Sequence, residues 1–409
     1  MFHKFDRFAL LTIVVLKILI RNNLSLNNLL YCLKTSIFSG GENDVFSEMS
    51  SGDKELVCQT AEKYYLGRFL FFYYRNSLPE LWRQKFSKEF LNASAVELKR
   101  SVELSKILKF MENNGFFVAP LKGVYLTYKA YPHPGLRLMG DIDLLIQKHE
   151  IENIYHLLKI DGYKQSGDIP HKFHKTALIS KSGISIELHH HIMENQEKLT
   201  TDLLWKNSYP DIILGQRIIS LSPEIHILHT IKHFFIDRVV SGFKNLIDVA
   251  YLISKFNPSP PKLYNFATQA GLDSHLRIFF NAFPEFFPTE FTYTLSDDDI
   301  KAVESTRFLI TNYDIINKTT IQERGFESDF SGSTILGKLK FIIKAAFKHP
   351  RVIAFKYNCN YKNPEIVYYY FRSIYDGFKI FLKLLKKKEV NIKSKIGESQ
   401  KKLDKFRDN

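Results

Sequence analysis

The stretch Gly140-Asp141-Ile142-Asp143-Leu144-Leu145-Ile146 decides how this chain reads. Ile142, Leu144 and Ile146 recur at every second position, which predicts a short strand with an apolar face turned to a core. Asp141 and Asp143 then fall side by side on the other face. Neighbouring carboxylates repel, and each raises the other's pKa unless a cation intervenes. An Asp-x-Asp pair in a polar loop is most often a solvated turn, but this pair opens an apolar strand. That position points to a divalent metal, and hard oxygen ligands suit Mg2+, with Mn2+ as the alternative.

Working outward, Ser185-Ile186-Glu187-Leu188-His189 predicts a second strand, with Ser185, Glu187 and His189 on one face. A carboxylate amid apolar neighbours is costly unless it is paired or binds metal. If this strand lies beside the first, Glu187 completes a three-carboxylate site; otherwise it belongs to the wet face of an edge strand. His189 shares that face and is the histidine expected to touch substrate. His190 and His191 continue the run, but consecutive residues on a strand alternate sides, so the three cannot share one ion. His226, His229 and His233 line one face of a predicted helix, and packing near the site is preferred there over zinc.

Upstream, Leu121-Lys122-Gly123 joins a short apolar run, 116–121, to a predicted helix at 124–131. Glycine allows close backbone approach to a phosphate, a helix N-terminus offers free N–H groups, and Lys122 adds charge. Arg137 reads either as a further phosphate contact or as a solvated loop arginine.

The rest of the chain is mostly helical. Helical spacing covers 55–74 and 93–113, the latter with Leu98, Val102, Leu104, Ile107, Leu108 and Met111 as its stripe. A helix is expected at 150–160 and a hairpin from 173–180 and 183–190. Helices return at 226–236 and 246–253, a proline-rich linker follows at 258–261, and two more helices are expected at 336–347 and 366–385. The expected organisation is a helical region at 1–112, an α/β or α+β core at 113–215, a helical domain at 216–330 and a basic helical region at 331–409.

The 409 residues carry 57 Lys and Arg against 43 acids, a net charge of +14, which favours polyanionic partners. Ten Lys/Arg and four acids fall between Phe381 and Asn409. The apolar face of 366–385, followed by Lys386-Lys387-Lys388, is read as a docked helix with a basic end, and contact with an anionic membrane is the second reading. No helix-turn-helix or single-strand stacking signature appears, so nucleic acid is not the expected partner. Cys32, Cys58 and Cys359 are far apart and lack metal-ligand spacing, which fits a reducing compartment. The apolar run 8–20 is broken by Lys17 and too short to span a bilayer. The chain therefore reads as cytoplasmic.

Several of these motifs recur together, in this order, in one group. They are Leu121-Lys122-Gly123, Arg137, Gly140 to Leu145, Gly162-Tyr163, Ile186-Glu187-Leu188-His189, Leu221-Ser222-Pro223-Glu224, His233 and Leu246 to Ala250. The chain resembles the uncharacterised nucleotidyltransferase family of the DNA polymerase beta-like superfamily, best from about Ala119 to Ile253. The resemblance implies an α+β fold, with a small mixed sheet held between helices. It also implies paired metal-binding aspartates at Asp141 and Asp143 and a third carboxylate at Glu187, and nucleotide contacts are expected from Lys122, Gly123, Arg137, Gly140 and His189. The superfamily's Gly-Ser pair is here Lys122-Gly123, so the phosphate contact departs from the pattern. The expected reaction is Mg2+-dependent transfer of a nucleotidyl group from a nucleoside triphosphate, ATP by default, to a sugar, small molecule or protein. Specificity for that acceptor would come from the helical arms. Two rivals are an Asp-x-Asp glycosyltransferase, which requires a nucleotide-binding βαβ unit upstream where this chain reads as helical, and a catalytically inactive nucleotide-binding scaffold.

Overall fold

The computed structural model describes residues 24–166, 177–192, 201–236 and 242–312, with short pieces at 368–369, 372, 396, 398–400, 402–404 and 406. The helices expected at 8–20 and 336–347, and nearly all of 366–385, lie outside the described residues.

The fold is α+β, centred on a small mixed sheet. The strand expected at Ile142–Ile146 forms as β2 (Ile142–Ile146), and all five residues are buried. It pairs antiparallel with β1 (Val118–Pro120) and parallel with β5 (Ser185–His189). Two short antiparallel strands, β4 (Leu178–Ile179) and β3 (Lys164–Gln165), extend the sheet, giving the order β1-β2-β5-β4-β3. Parallel neighbours require a crossover, supplied here by a connection that contains α6 (Ile151–Ile160).

The two faces of this sheet meet different cores. Ile142, Leu144, Ile146, Ile186 and Leu188 pack with Ile154 and Leu158 of α6. Leu145 points the other way, into a second core built from the helices. Asp143 shares the Leu145 face by strand alternation, so it faces helices rather than water.

Before the sheet come helices at 24–38 (α1), Ser51–Lys63 (α2), Gly67–Tyr74 (α3) and Glu80–Asn113 (α4). The α4 helix is 34 residues long, and its buried stripe corrects the expected one. Leu104, Ile107, Leu108 and Met111 are buried as expected, but Leu98 and Val102 are 69% and 53% exposed. The stripe instead continues toward the N-terminus through Glu97, Ala93, Phe86 and Trp82, at steps of four or seven that keep one helical face. Glu97 can occupy that face because its carboxylate has partners: the Met139 N–H at 3.0 Å and the Arg100 guanidinium.

After the sheet, α7 (Thr201–Lys206) leads into a hairpin that the sequence reading did not contain. Strands β6 (Ser208–Ile213) and β7 (Gln216–Leu221) pair at all six positions. Leu214 and Gly215 both take positive φ, +50° and +78°, the two-residue turn that matches strand twist. The expected division between 215 and 216 falls inside this turn. Helices α8 (Pro223–Ile236), α9 (Phe243–Phe256), α10 (Pro260–Ala270), α11 (Asp273–Ala282) and α12 (Asp297–Thr311) follow. The expected proline linker is instead the start of α10. Ser259 caps it by accepting from Lys262 N–H, and Pro260 and Pro261 fall in the first turn, where their missing N–H is no loss.

The corrected stripe on α4 gives a direct test. Leu108→Ala should cost about 2–5 kcal/mol in urea unfolding. Leu98→Ala should change stability by less than about 0.5 kcal/mol. Equal effects would contradict the orientation of the helix.

Candidate active site

The approach to β2 is held from several sides. The Met139 N–H donates to Glu97 Oε1 at 3.0 Å, tying the loop to α4. Arg137 is buried, and its guanidinium makes a bidentate pair with Asp248 of α9: Nε to Oδ1 at 2.7 Å and Nη2 to Oδ2 at 3.0 Å. Tyr131 adds its hydroxyl to the same carboxylate at 2.6 Å. The Thr127 hydroxyl donates to the Arg137 carbonyl at 3.2 Å. Burial opposes the charge on Arg137, but Asp248 outweighs it and the guanidinium stays firmly protonated. Arg137 is thus neither a solvated loop residue nor an uncommitted phosphate ligand. It lines the cleft, but its fork is taken up by Asp248.

Asp141 precedes β2 and is partly buried, whereas Asp143, one pleat further, is only 3% exposed. The parallel register sets Glu187 opposite Asp143. His189 Nε2 lies 2.9 Å from Asp143 Oδ1 and 3.4 Å from Glu187 Oε2. One ligand-type atom from each of Asp143, Glu187 and His189 lies within 4.8 Å of the others. Among the described residues no other three Asp, Glu, His or Cys side chains gather in this way. The structure therefore brings Asp143, Glu187 and His189 together on one face of two adjacent strands, while Asp141, just before β2, is outside that close group and lines the same cleft as Asp143.

Lys122 closes the group from α5 (Lys122–Tyr125), which runs into a π-helical turn at Leu126–Ala130. Its Nζ is 3.6 Å from Asp143 Oδ2. The Lys122 backbone has φ +40°, a region that non-glycine residues rarely adopt, so local strain sits at the candidate site. Behind it, Gly123 is needed for packing: a Cβ there would stand 2.8 Å from Met139 Cγ. At Gly140 a Cβ would meet open space.

These contacts set the ionisation. Burial pushes the Asp141 carboxyl up from its usual value, and the negative charges of Asp143 and Glu187 push the same way. Burial would raise Asp143 too, but Lys122 and the hydrogen bond to His189 hold it well below the usual carboxylate range. The His189 imidazole is raised, because its two carboxylate partners outweigh burial.

The histidine stripe of α8 divides by role. His226 stacks on Tyr125 with ring centroids 3.6 Å apart, and burial pushes it down to about 3. His229 is also held neutral, by burial first and then by the positive fields of Lys122 and neighbouring histidines. His233 lines the cleft, a space of about 150 Å3 that also takes in Lys122, Asp141, Asp143 and Lys244.

Sequence reasoning missed the contributions of Glu97, Lys244 and Asp248. Only Asp248 left a signal, as one charge inside the apolar helix Leu246-Ile247-Asp248-Val249-Ala250. Asp248→Ala should destabilise the fold by about 3–5 kcal/mol, because it strands the buried Arg137 charge. Thermal and urea unfolding of the purified variant would check this, and a loss below about 1 kcal/mol would mean that water reaches the guanidinium.

Residues 70–288, more than half the chain, match a protein family described as an uncharacterised nucleotidyltransferase. No curated protein matches the chain. Among solved structures, an antigenic nucleotidyltransferase-like protein from Paracoccidioides brasiliensis is similar at 20% identity, with a TM-score of 0.35, over 45% of this chain and 88% of that one.

Proposed function

The chain belongs to the uncharacterised nucleotidyltransferase family, and on that basis we propose that it transfers a nucleotidyl group from a nucleoside triphosphate to a separate acceptor with the help of Mg2+ or Mn2+. The observation that carries this reading is the register that sets Glu187 opposite Asp143, with Asp141 and His189 alongside.

The residues fit a hard divalent cation. Ligand-type atoms of Asp143, Glu187 and His189 lie within 4.8 Å of one another, and the nearby Asp141 carboxyl is pushed up by burial and then by the charges of Asp143 and Glu187. Asp141, Asp143 and Glu187 would hold the ion, and His189 would orient the last two. When bound, the ion neutralises the carboxylates and acts as a Lewis acid on the triphosphate.

The remaining work belongs to side chains of the cleft. Lys122 and Lys244 place positive charge along its wall, where phosphate oxygens gain charge in the transition state. Asp248 holds Arg137, and the pair fixes the loop that delivers Asp141. The acceptor oxygen attacks the α-phosphorus in line. A bond from that oxygen to phosphorus forms, the bond from the α-phosphorus to the bridging oxygen breaks, and pyrophosphate leaves. The acceptor's proton passes to a carboxylate of the cluster, and Glu187 takes this role of general base where it does not hold the ion.

Incubation with α-labelled nucleoside triphosphates, Mg2+ and a small-molecule extract tests this reading. The expected products are pyrophosphate and a labelled acceptor. Asp143→Asn and Glu187→Gln should each lower the rate at least about a hundredfold. Chelation should abolish it, and added Mg2+ should restore it. Release of orthophosphate, or preferential binding of nucleotide-sugars, would exclude the proposal.

A further inference from the structure

A second cavity, of about 300 Å3, adjoins the cleft and shares Arg137 and Lys244 with it. Its walls come from the junction of α2 with α3, from Tyr131 and from the start of α9. Aromatic rings dominate: Phe69, Tyr131 and Phe243 are buried, and Tyr65, 60% exposed, stands at the rim. Among the described residues three cations line it, Arg68, Arg137 and Lys244, and no carboxylate does.

Arg68 is the informative one. It is partly buried, its Nε donates to the Leu136 carbonyl at 2.9 Å, and its guanidinium lies over the Phe69 ring at 5.4 Å. Among the described residues no carboxylate reaches it at ion-pair distance, and its terminal nitrogens make no hydrogen bond. Burial pulls its pKa below the ordinary value, with Tyr131 acting in opposition. Glu89 and Asp248 support its charge only from beyond ion-pair distance, and the Asp248 carboxylate is held by Arg137 and Tyr131. A partly buried guanidinium with no carboxylate in contact is costly, and an anionic ligand relieves that cost.

We infer that this cavity is the acceptor subsite, and that the acceptor joins an anionic group, phosphate or carboxylate, to an aromatic or apolar body. Arg68 and Lys244 take the anion, and Phe69, Tyr131 and Phe243 take the body. The assignment rests on reading the adjoining cleft as the site of nucleotidyl transfer. It makes the N-terminal helices part of the substrate site, since Arg68 and Phe69 come from α3.

The test is calorimetric binding to the full chain of phenyl phosphate, phenylacetate and neutral phenyl β-glucoside. Wild-type protein should bind one of the two anions at least about tenfold tighter than the glucoside, and the stronger of the two identifies the group. Arg68→Gln should weaken that binding at least about tenfold and Arg68→Lys should recover part of it, while Lys122→Gln should leave it unchanged. With a non-hydrolysable ATP analogue and Mg2+ present, the aryl anion should stay bound. Equal binding of the neutral compound, an unaffected Arg68→Gln variant, or displacement by the nucleotide would each overturn the assignment. If Arg68→Gln fails to fold by circular dichroism, the wild-type comparison of charged and neutral compounds decides alone. Nucleotide that fails to bind at all would sink the transfer reading and the acceptor role with it, and the Arg68 variants would still report whether an anion site exists.

Discussion

Parallel pairing of β2 with β5 places Asp143 beside Glu187, and the rest of the site follows from it. Pairing shifted by one residue would turn one carboxylate into the apolar core. The alternation of Ile142, Leu144, Ile186 and Leu188 prevents that slip, because their burial beneath the sheet fixes which side the acids occupy. The same hydrophobic contacts that stabilise the sheet therefore hold several negative charges close together.

Such crowding is tolerated because the surrounding helices supply compensation. Lys122 and His189 meet Asp143, Arg137 and Tyr131 meet Asp248, and Arg100 with the Met139 N–H meets Glu97. Burial, with the charges of Asp143 and Glu187, pushes the Asp141 carboxyl up, whereas Asp143 is held down. Fixing the loop before β2 at both α4 and α9 also couples the sheet to the helical halves of the chain.

Much of this was legible in the sequence where one period dominates. The strand at Ile142–Ile146 and the helix at Ile151–Ile160 follow from alternation and from helical spacing. Neighbouring strands that carry Asp143 and Glu187 are consistent with the two acid-bearing motifs. The features that were not legible depend on partners distant in sequence. Glu97 occupies a core position because Met139, 42 residues away, uses its carboxylate, and no local pattern announces that. The β6–β7 hairpin was hidden because Pro210 and Asp211 interrupt alternation, and its Leu214-Gly215 turn lacks the usual Asn or Asp. Arg137 looked like a loop residue because its partner, Asp248, lies 111 residues on.

The central claim is that carboxylates from β2 and β5 together bind one kind of ion beside a triphosphate. Electron paramagnetic resonance of Mn2+ tests it most directly, with a non-hydrolysable ATP analogue and the wild-type, Asp143→Asn and Glu187→Gln proteins compared. The account predicts a bound Mn2+ signal in wild type that either substitution weakens sharply while the fold stays intact. Mn2+ held equally well by all three proteins would contradict it.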